Sequence, residues 1–514
     1  MNAENPHQFD PNAKSAIVIG AGFGGLALAI RLQSAGIQTT VLERRDKPGG
    51  RAYVYEDKGF VFDGGPTVIT DPDCLKELWE LSGRDIADYI DLLPIDPFYQ
   101  LCWEDGYRFN YTGDQDRLEA QIEAKSPGDV KGYRKFLAYS RELYRVGYHP
   151  LCTKPFLNFW SMVQIMPTLA RLQAQRSVHG KVASYIKDEQ LRQVFSFHPL
   201  LVGGNPFDTS AIYALIHALE RDGGVWFAKG GTGALIKAMA KLVEDLGGEV
   251  RCNQNVEQIT MEEGRATGVI VNGERMHSDM IASNADIMHT YEKMLSGHPR
   301  GAQKTKSLKK KSYSMGLFVI YFGLNQPPPE DLEHHVICFG PRYKELIHEI
   351  FNDDGLAEDF SLYLHCPSVT DPDLAPEGCS SYYVLSPVPH LGTADIDWDE
   401  VGPKYRDRIL DYLDEKYVPG LKENLATVRY ISPYEFRDDL NAHLGSAFSV
   451  EPILMQSAYF RPHNRDDVIP NLYLVGAGTH PGAGIPGVVG SAKATASVVL
   501  QDFDIAAPAV KLTV

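Results

Sequence analysis

The chain has 514 residues, too many for one simple core, so two or three sub-domains are expected. Hydrophobic residues make up 44% and charged residues 23%, an ordinary globular mix, and 50 basic against 67 acidic residues leave a formal charge of −17. That charge argues against nucleic-acid binding and against broad attraction to anionic lipid, so any membrane contact has to be local.

The opening "MNAENPHQFDPNAK" lacks the charged start and apolar core of a signal peptide and reads as a polar, disordered tail. The seven cysteines (Cys74, Cys102, Cys152, Cys252, Cys338, Cys366, Cys379) are scattered, with no CxxC or metal-ligand spacing. They read as reduced thiols of a cytosolic protein. No apolar run reaches the length of a spanning helix.

The first structured stretch is "SAIVIGAGFGGLALAIRLQSAGIQTTVLERR". An apolar strand, Ala16 to Ile19, breaks at Gly20, Gly22 and Gly25; a helix runs from about Gly24 to Ala35, and a second strand, Thr39 to Leu42, ends at Glu43. A glycine turn between strand and helix, with an acid closing the next strand, is the context a dinucleotide site requires. Gly20 permits the tight turn, Gly22 lets main chain approach a pyrophosphate, and Gly25 lets helix and strand pack closely. The helix N-terminus offers free N–H groups to phosphate, and Glu43 can accept from ribose hydroxyls.

The continuation favours FAD over NAD. "RRDKPGGRAYVYEDKGFVFDGGPT" adds the pairs Gly49-Gly50 and Gly64-Gly65, with Arg51 between them and Pro66 and Thr67 after. NAD has no part left to occupy these groups, whereas a ribityl chain and isoalloxazine must be threaded past more main chain. Arg51 reads as a phosphate or flavin contact, against the plainer reading of a surface ion pair.

Further along, "PFLNFWSMVQIMPTLA", residues 155 to 170, has a wide apolar face with a thin polar stripe of Asn158, Ser161, Gln164 and Thr168. Pro155 suits a helix start and Pro167 is expected to end or kink it. The helix is either buried core or an interfacial segment on lipid, where Phe156, Phe159, Trp160 and Val163 share a face. The region from "GGTGALIKAMAKLVEDLGGEV" to "SNAD" alternates helix and strands and completes the cofactor domain. Lys304 to Lys311, "KTKSLKKK", is a local basic cluster, either a solvated loop or a contact for anionic lipid. "YSMGLFVIYFGL" and "DFSLYLHC" suggest a sheet with one face toward a ligand cavity, or one that simply packs on helices. No Ser-His-Asp, zinc or paired-carboxylate arrangement emerges; His334, His335 and His480 stand out, and His480, inside the second glycine turn, suits either packing or proton transfer.

Near the C-terminus, "NLYLVGAGTHPGAGIPGVVGSA" reads as a strand, Leu472 to Val475, a turn, Gly476 to Gly487, and a helix, Val488 to Leu500. This second anion-friendly turn suits the far end of the same cofactor, with the helix N-terminus near flavin N1 and O2.

That run resembles the signature of the bacterial-type phytoene desaturases, FAD-dependent carotenoid desaturases of the flavin-containing amine oxidase-like superfamily. "GAGFGGLALAIRLQSAG", "LERRDKPGGRAYVYEDKGF", "FDGGPTVITDP", "LLVGGNPFDTSAIYALIHALE" and "EDFSLYLHCPSVTDPDLAPEG" resemble the family too, over nearly the whole chain. The resemblance implies FAD contacts at Gly20, Gly22, Gly24, Gly25, Glu43, Arg44, Gly50, Arg51, Pro66, Thr67, Gly478 and Gly487, with the main chain of Val256 at the adenine. It implies an α/β fold: a discontinuous Rossmann-type FAD-binding domain with an α+β substrate domain and a helical membrane-associated insertion. The cofactor domain then comprises residues 12–90, 221–300 and 466–504, interrupted by a substrate and membrane-associated insertion at 91–220 and a substrate-binding sheet domain at 301–465.

The activity implied is introduction of successive double bonds into phytoene, ending at lycopene, with flavin N5 taking hydride and oxygen or a membrane quinone reoxidising the flavin. No metal and no nicotinamide are expected. The enzyme is expected to sit peripherally on the inner face of the cell membrane, binding phytoene and its desaturation intermediates. Nothing in the sequence assigns the proton acceptor. The alternatives are a related flavoenzyme (another carotenoid desaturase, retinol saturase, ketolase or amine oxidase) and a non-enzymatic lipid carrier on the same fold.

Overall fold

A computed structural model of the chain describes residues 14–508, and the polar tail before Lys14 lies outside them. Five short strands, Ser15–Ile19, Gln38–Leu42, Glu249–Arg251, Met280–Ser283 and Leu472–Leu474, form one parallel sheet drawn from both ends and the middle of the chain. The strand Met280–Ser283 separates the first strand from the last, so the two glycine turns leave the sheet at the same edge of their strands. Parallel strands are covered on both faces, which is why three adjacent ones, Ser15–Ile19, Met280–Ser283 and Leu472–Leu474, are mostly apolar, while Gln38–Leu42 and the edge strand Glu249–Arg251 carry polar residues. The helix Phe23–Ser34 is buried over most of its length between the helices Gly231–Asp245 and Ile485–Asp502.

A seven-stranded mixed sheet forms the second layer system. Five of its strands come from residues 316 to 431, and two, Tyr99–Trp103 and Arg108–Tyr111, come from the earlier insertion. The region 91–220 is therefore not helical throughout: it starts by extending the substrate sheet, through parallel pairing of Tyr99–Trp103 with His335–Phe339. In the strand Gly316–Leu324, Phe318, Ile320 and Phe322 pack toward the helix Trp398–Lys416, while Leu317 and Val319 line a cavity. The period of two that suggested a cavity-facing sheet is realised there.

Two helix boundaries differ from the sequence expectation. The C-terminal helix begins at Ile485, one turn before Val488, because Pro486 is tolerated in a first turn where its missing N–H is not needed. The helix expected from Pro155 begins at Phe159 and continues through Pro167 to Arg171. Phe156 is pulled inward onto the His480 ring, at 5.0 Å between centroids, and the chain stays non-helical there. Among the described residues no helix is long and apolar enough to cross a membrane.

Candidate functional site

One long cavity runs between the parallel sheet, the seven-stranded sheet and the helical insertion. At one end its wall is mostly main chain. Gly20, Gly22, Phe23 and Gly24 contribute the first turn, and Gly49, Gly50 and Arg51 lie beside it, joined by a bridge between Gly22 and Gly49. Gly25 stands one layer behind, where a Cβ would come within 2.0 Å of the Gly20 carbonyl oxygen; only glycine lets helix and strand approach so closely. Glu43 is buried and its two oxygens accept from the N–H groups of Ala21, at 2.8 Å, and Arg45, at 2.9 Å. The carboxylate that ends the second strand thus braces the turn as well as facing the cavity.

The second turn supplies the other side: Ala477, His480 to Gly484 and the first residues of the Ile485–Asp502 helix line the cavity, including Gly487. Gly478 lies beneath the wall, packed against Ile287 and Ser449. The two turns meet at Asn284. A Cβ on Gly24 or on Gly476 would lie 2.7 Å or 2.5 Å from its Oδ1, and its Nδ2 donates to the Gly20 carbonyl at 3.3 Å. Fully buried Arg461 holds the second turn from below through the carbonyls of Thr479 and Ala477.

A flavin dinucleotide fits these residues. The floor is made of positions that a side chain would fill, and an 18-residue helix opens its N-terminus onto it. The half-buried guanidinium of Arg51 donates to the carbonyls of Ala447 and Ser446; desolvation lowers its pKa and Asp286 opposes that. Such a cation has capacity left for an anion. Arg44 donates to the carbonyls of Asp438 and Asp439 and also lines the cavity, as do Pro66, Thr67 and Val256.

The other end is apolar. Met162, Ile165, Leu169 and Leu172 line it from one side, Leu200, Leu201, Ile216 and Leu219 from another, and Val319, Ile337 and Phe339 from the sheet. Polar groups enter this wall at few points. Thr67 Oγ1 is hydrogen-bonded to the hydroxyls of Tyr383, at 2.6 Å, and Tyr363, at 3.0 Å, and Tyr363 continues to His335 Nδ1 at 2.7 Å. Behind them His334, His335 and His365 pack together fully buried, and burial lowers all three pKa values, that of His334 to about 3, so the rings are neutral. Sequence order hid this cluster because His365 reaches His335 only across paired strands. His480 Nε2 donates to the Leu151 carbonyl at 2.9 Å, and burial lowers its pKa to about 4; a neutral ring clips the insertion to the second turn.

Of the residues expected to contact FAD, all but Gly25 and Gly478 reach the cavity wall. Sequence reasoning missed Asn284, Asp286 and the Ser446 and Ala447 carbonyls, which tertiary structure brings in. The basic cluster is not a free patch: Lys304 pairs with Asp467, Lys309 with Glu292, and Lys311 donates to the Phe460 carbonyl.

Residues 23–500 match the model of the family described as flavin containing amine oxidoreductase. A lycopene-forming phytoene desaturase of Pantoea ananas is 63% identical, over 95% of this chain and 100% of its own. A neurosporene-forming phytoene desaturase of Cereibacter sphaeroides is 44% identical over 95% of each chain. The solved structure of cyclohexylamine oxidase from Brevibacterium oxydans superposes with a TM-score of 0.60 at 16% identity, covering 96% of this chain and 100% of its own, a likeness of fold alone.

Proposed function

The chain belongs to the flavin-containing amine oxidoreductase family, in its phytoene desaturase branch, and from that premise we propose how it handles a substrate confined to lipid. It is an FAD-dependent oxidoreductase acting on CH–CH bonds, forming lycopene from phytoene by successive desaturations. The observation that carries this reading is the continuity of the cavity, from the glycine turns to a wall of leucine, isoleucine, valine and phenylalanine. When bound, FAD supplies an acceptor for the hydride that leaves the polyene. Gly20, Gly22, Gly24, Glu43, Arg44, Gly50, Arg51, Pro66, Thr67, Val256 and Gly487 hold it, with Gly25 and Gly478 supporting the turns. The Ile485 helix end and Arg51 offset negative charge on it. Oxygen or a membrane quinone completes the cycle.

Phytoene carries no polar atom, so the apolar wall recognises shape, and one methylene changes binding by only about 1–3 kcal/mol. An enzyme that accepts its own intermediates needs that tolerance. The helix Phe159–Arg171 supports entry from a bilayer on the inner face of the cell membrane. Its Met162, Ile165 and Leu169 line the cavity, while Phe159, Trp160 and Met166 are 51%, 73% and 54% exposed. The neighbouring segment repeats the arrangement, with Leu454 and Ala458 in the wall and Met455 65% exposed. Exposed apolar side chains beside the cavity wall favour lipid as their neighbour, because the substrate resides there.

FAD-loaded protein incubated with phytoene in liposomes and either acceptor is expected to yield lycopene on chromatography. Unchanged phytoene in the presence of bound FAD overturns the reading.

A further inference from the structure

Four carboxylates line the cavity: Glu43, Asp286, Asp439 and Glu220. The first three belong to the glycine-turn end, where Glu43 braces the Gly20 turn, Asp286 caps the turn after Asn284 with Met288 and His289 N–H groups, and Asp439 sits beside Arg44 and Arg45. Glu220 alone enters from the apolar side. It lies on the helix Leu215–Gly223, one residue past Leu219 and four past Ile216, both of which line the same wall. Its side chain has no exposure to solvent.

Groups outside the wall fix its carboxyl, and Tyr111 also bears on it from the same side. The Tyr99 hydroxyl donates to Oε1 at 2.8 Å, and His198 Nε2 donates to Oε2 at 3.0 Å. A carboxylate offers about four acceptor sites, so these bonds leave it capacity to take a proton. Burial, and then Glu220 itself, push the Tyr99 hydroxyl well above its ordinary pKa, so it remains a donor. A carboxyl in an apolar tunnel serves no recognition of a hydrocarbon, and burying one is costly unless it has a use. The Tyr99 ring packs 5.8 Å from His335, whose partner Tyr363 reaches Thr67 of the flavin-contacting segment. A short run of contacts therefore connects Glu220 with the place where hydride leaves.

We propose that Glu220 accepts the proton lost from the polyene in each desaturation, with Tyr99 and His198 as its positioning residues. The inference rests on the desaturase reading. One carbon loses hydrogen with its electron pair, reducing FAD by two electrons. The adjacent C–H bond then breaks, its pair becomes the new π bond, and the proton bonds to Glu220.

The test compares wild type, Glu220→Gln and Glu220→Asp, each loaded with FAD, in phytoene liposomes. Glu220→Gln is expected to lower kcat about 10²–10⁴-fold, the usual worth of a positioned base, with FAD content retained and KM within roughly threefold. Glu220→Asp is expected to recover part of the rate. Infrared difference spectra of wild type after one anaerobic turnover are expected to gain a protonated-carboxyl band that shifts in D2O. Lycopene formation at the wild-type rate by Glu220→Gln overturns the proposal and leaves the desaturase reading intact. Absence of the band in a wild type that makes lycopene overturns it even where the Gln variant fails to fold, whereas a wild type without product indicts the desaturase reading itself.

Discussion

Beneath Gly20 and Gly484 the cavity wall is main chain, held by Asn284, Glu43 and Arg461; beside Met162 and Leu201 it is apolar side chain supplied by helices and a sheet. On the reading proposed above, the first end would recognise its ligand through main-chain N–H groups and close approach, where one added methyl is a collision. The second recognises through contact area, so one methyl is a modest change in fit. Within a family that includes lycopene-forming and neurosporene-forming relatives, tolerance at the second end suits variation in the number of steps.

The comparison breaks hardest at Gly22. Gly22→Val adds bulk in the turn that Gly49 and Asn284 enclose. FAD binding is expected to fall at least about 100-fold, to the point that gel-filtered protein is colourless. A yellow Gly22→Val protein with wild-type flavin content sinks the assignment of this end.

The same contrast decides what was legible. The first glycine turn occupies consecutive residues, so its strand, turn and helix could be read directly, and Glu43 and Arg51 came with it. Asn284 was out of reach, because its value lies in touching two turns that are far apart in the chain. Glu220 was missed for another reason. It stands in "LIHALE", where His217 and Glu220 interrupt an otherwise apolar helix three residues apart, a signal of a buried polar site that says nothing of its partners. Tyr99 and His198 arrive only through tertiary packing. The helix at 159–171 was legible as amphipathic, but which aromatic faces outward was not: Phe156, expected on the exposed face, is buried, and Met166 is exposed instead.

At the apolar end the corresponding experiment is Phe159→Ser with Trp160→Ser. The two side chains together are worth about 2–4 kcal/mol on transfer from water to an apolar phase. Co-sedimentation with liposomes is expected to weaken on the order of 100-fold, and phytoene turnover to fall with it, while FAD content stays constant. Loss of FAD in this variant, with wild type that never sediments, makes the helix core and removes the docking role.

Between the ends, the strand Phe60–Asp63 carries the chain into Gly64, Gly65, Pro66 and Thr67. Asp63 is buried, accepts from the Gly233 N–H at 3.2 Å, and burial pushes its pKa up to about 6. Folding therefore retains a proton that the unfolded chain releases from about pH 4. Stability attributable to this group is full below that and is lost as pH rises through 6, by about 3 kcal/mol for a gap of two units. Asp63→Asn is expected to erase this slope, so that denaturant titrations near pH 4 and near pH 7 show the variant gaining on wild type at the higher pH. An equal pH response in both proteins removes Asp63 as the cause.

The smallest expected effect is none at all, and it concerns nicotinamide. The chain has one complete dinucleotide fingerprint, from Gly20 to Glu43, and the second glycine turn faces the same cavity and shares Asn284 with the first. Two turns on one cavity, proposed to hold one cofactor, leave no separate cradle for another among the residues that line this site. Turnover with FAD, phytoene and oxygen or a quinone is therefore expected to proceed at an unchanged rate when NAD(P) is added or withheld. A strict requirement for NAD(P) separates the two turns into two sites and dissolves the comparison from which the other predictions start.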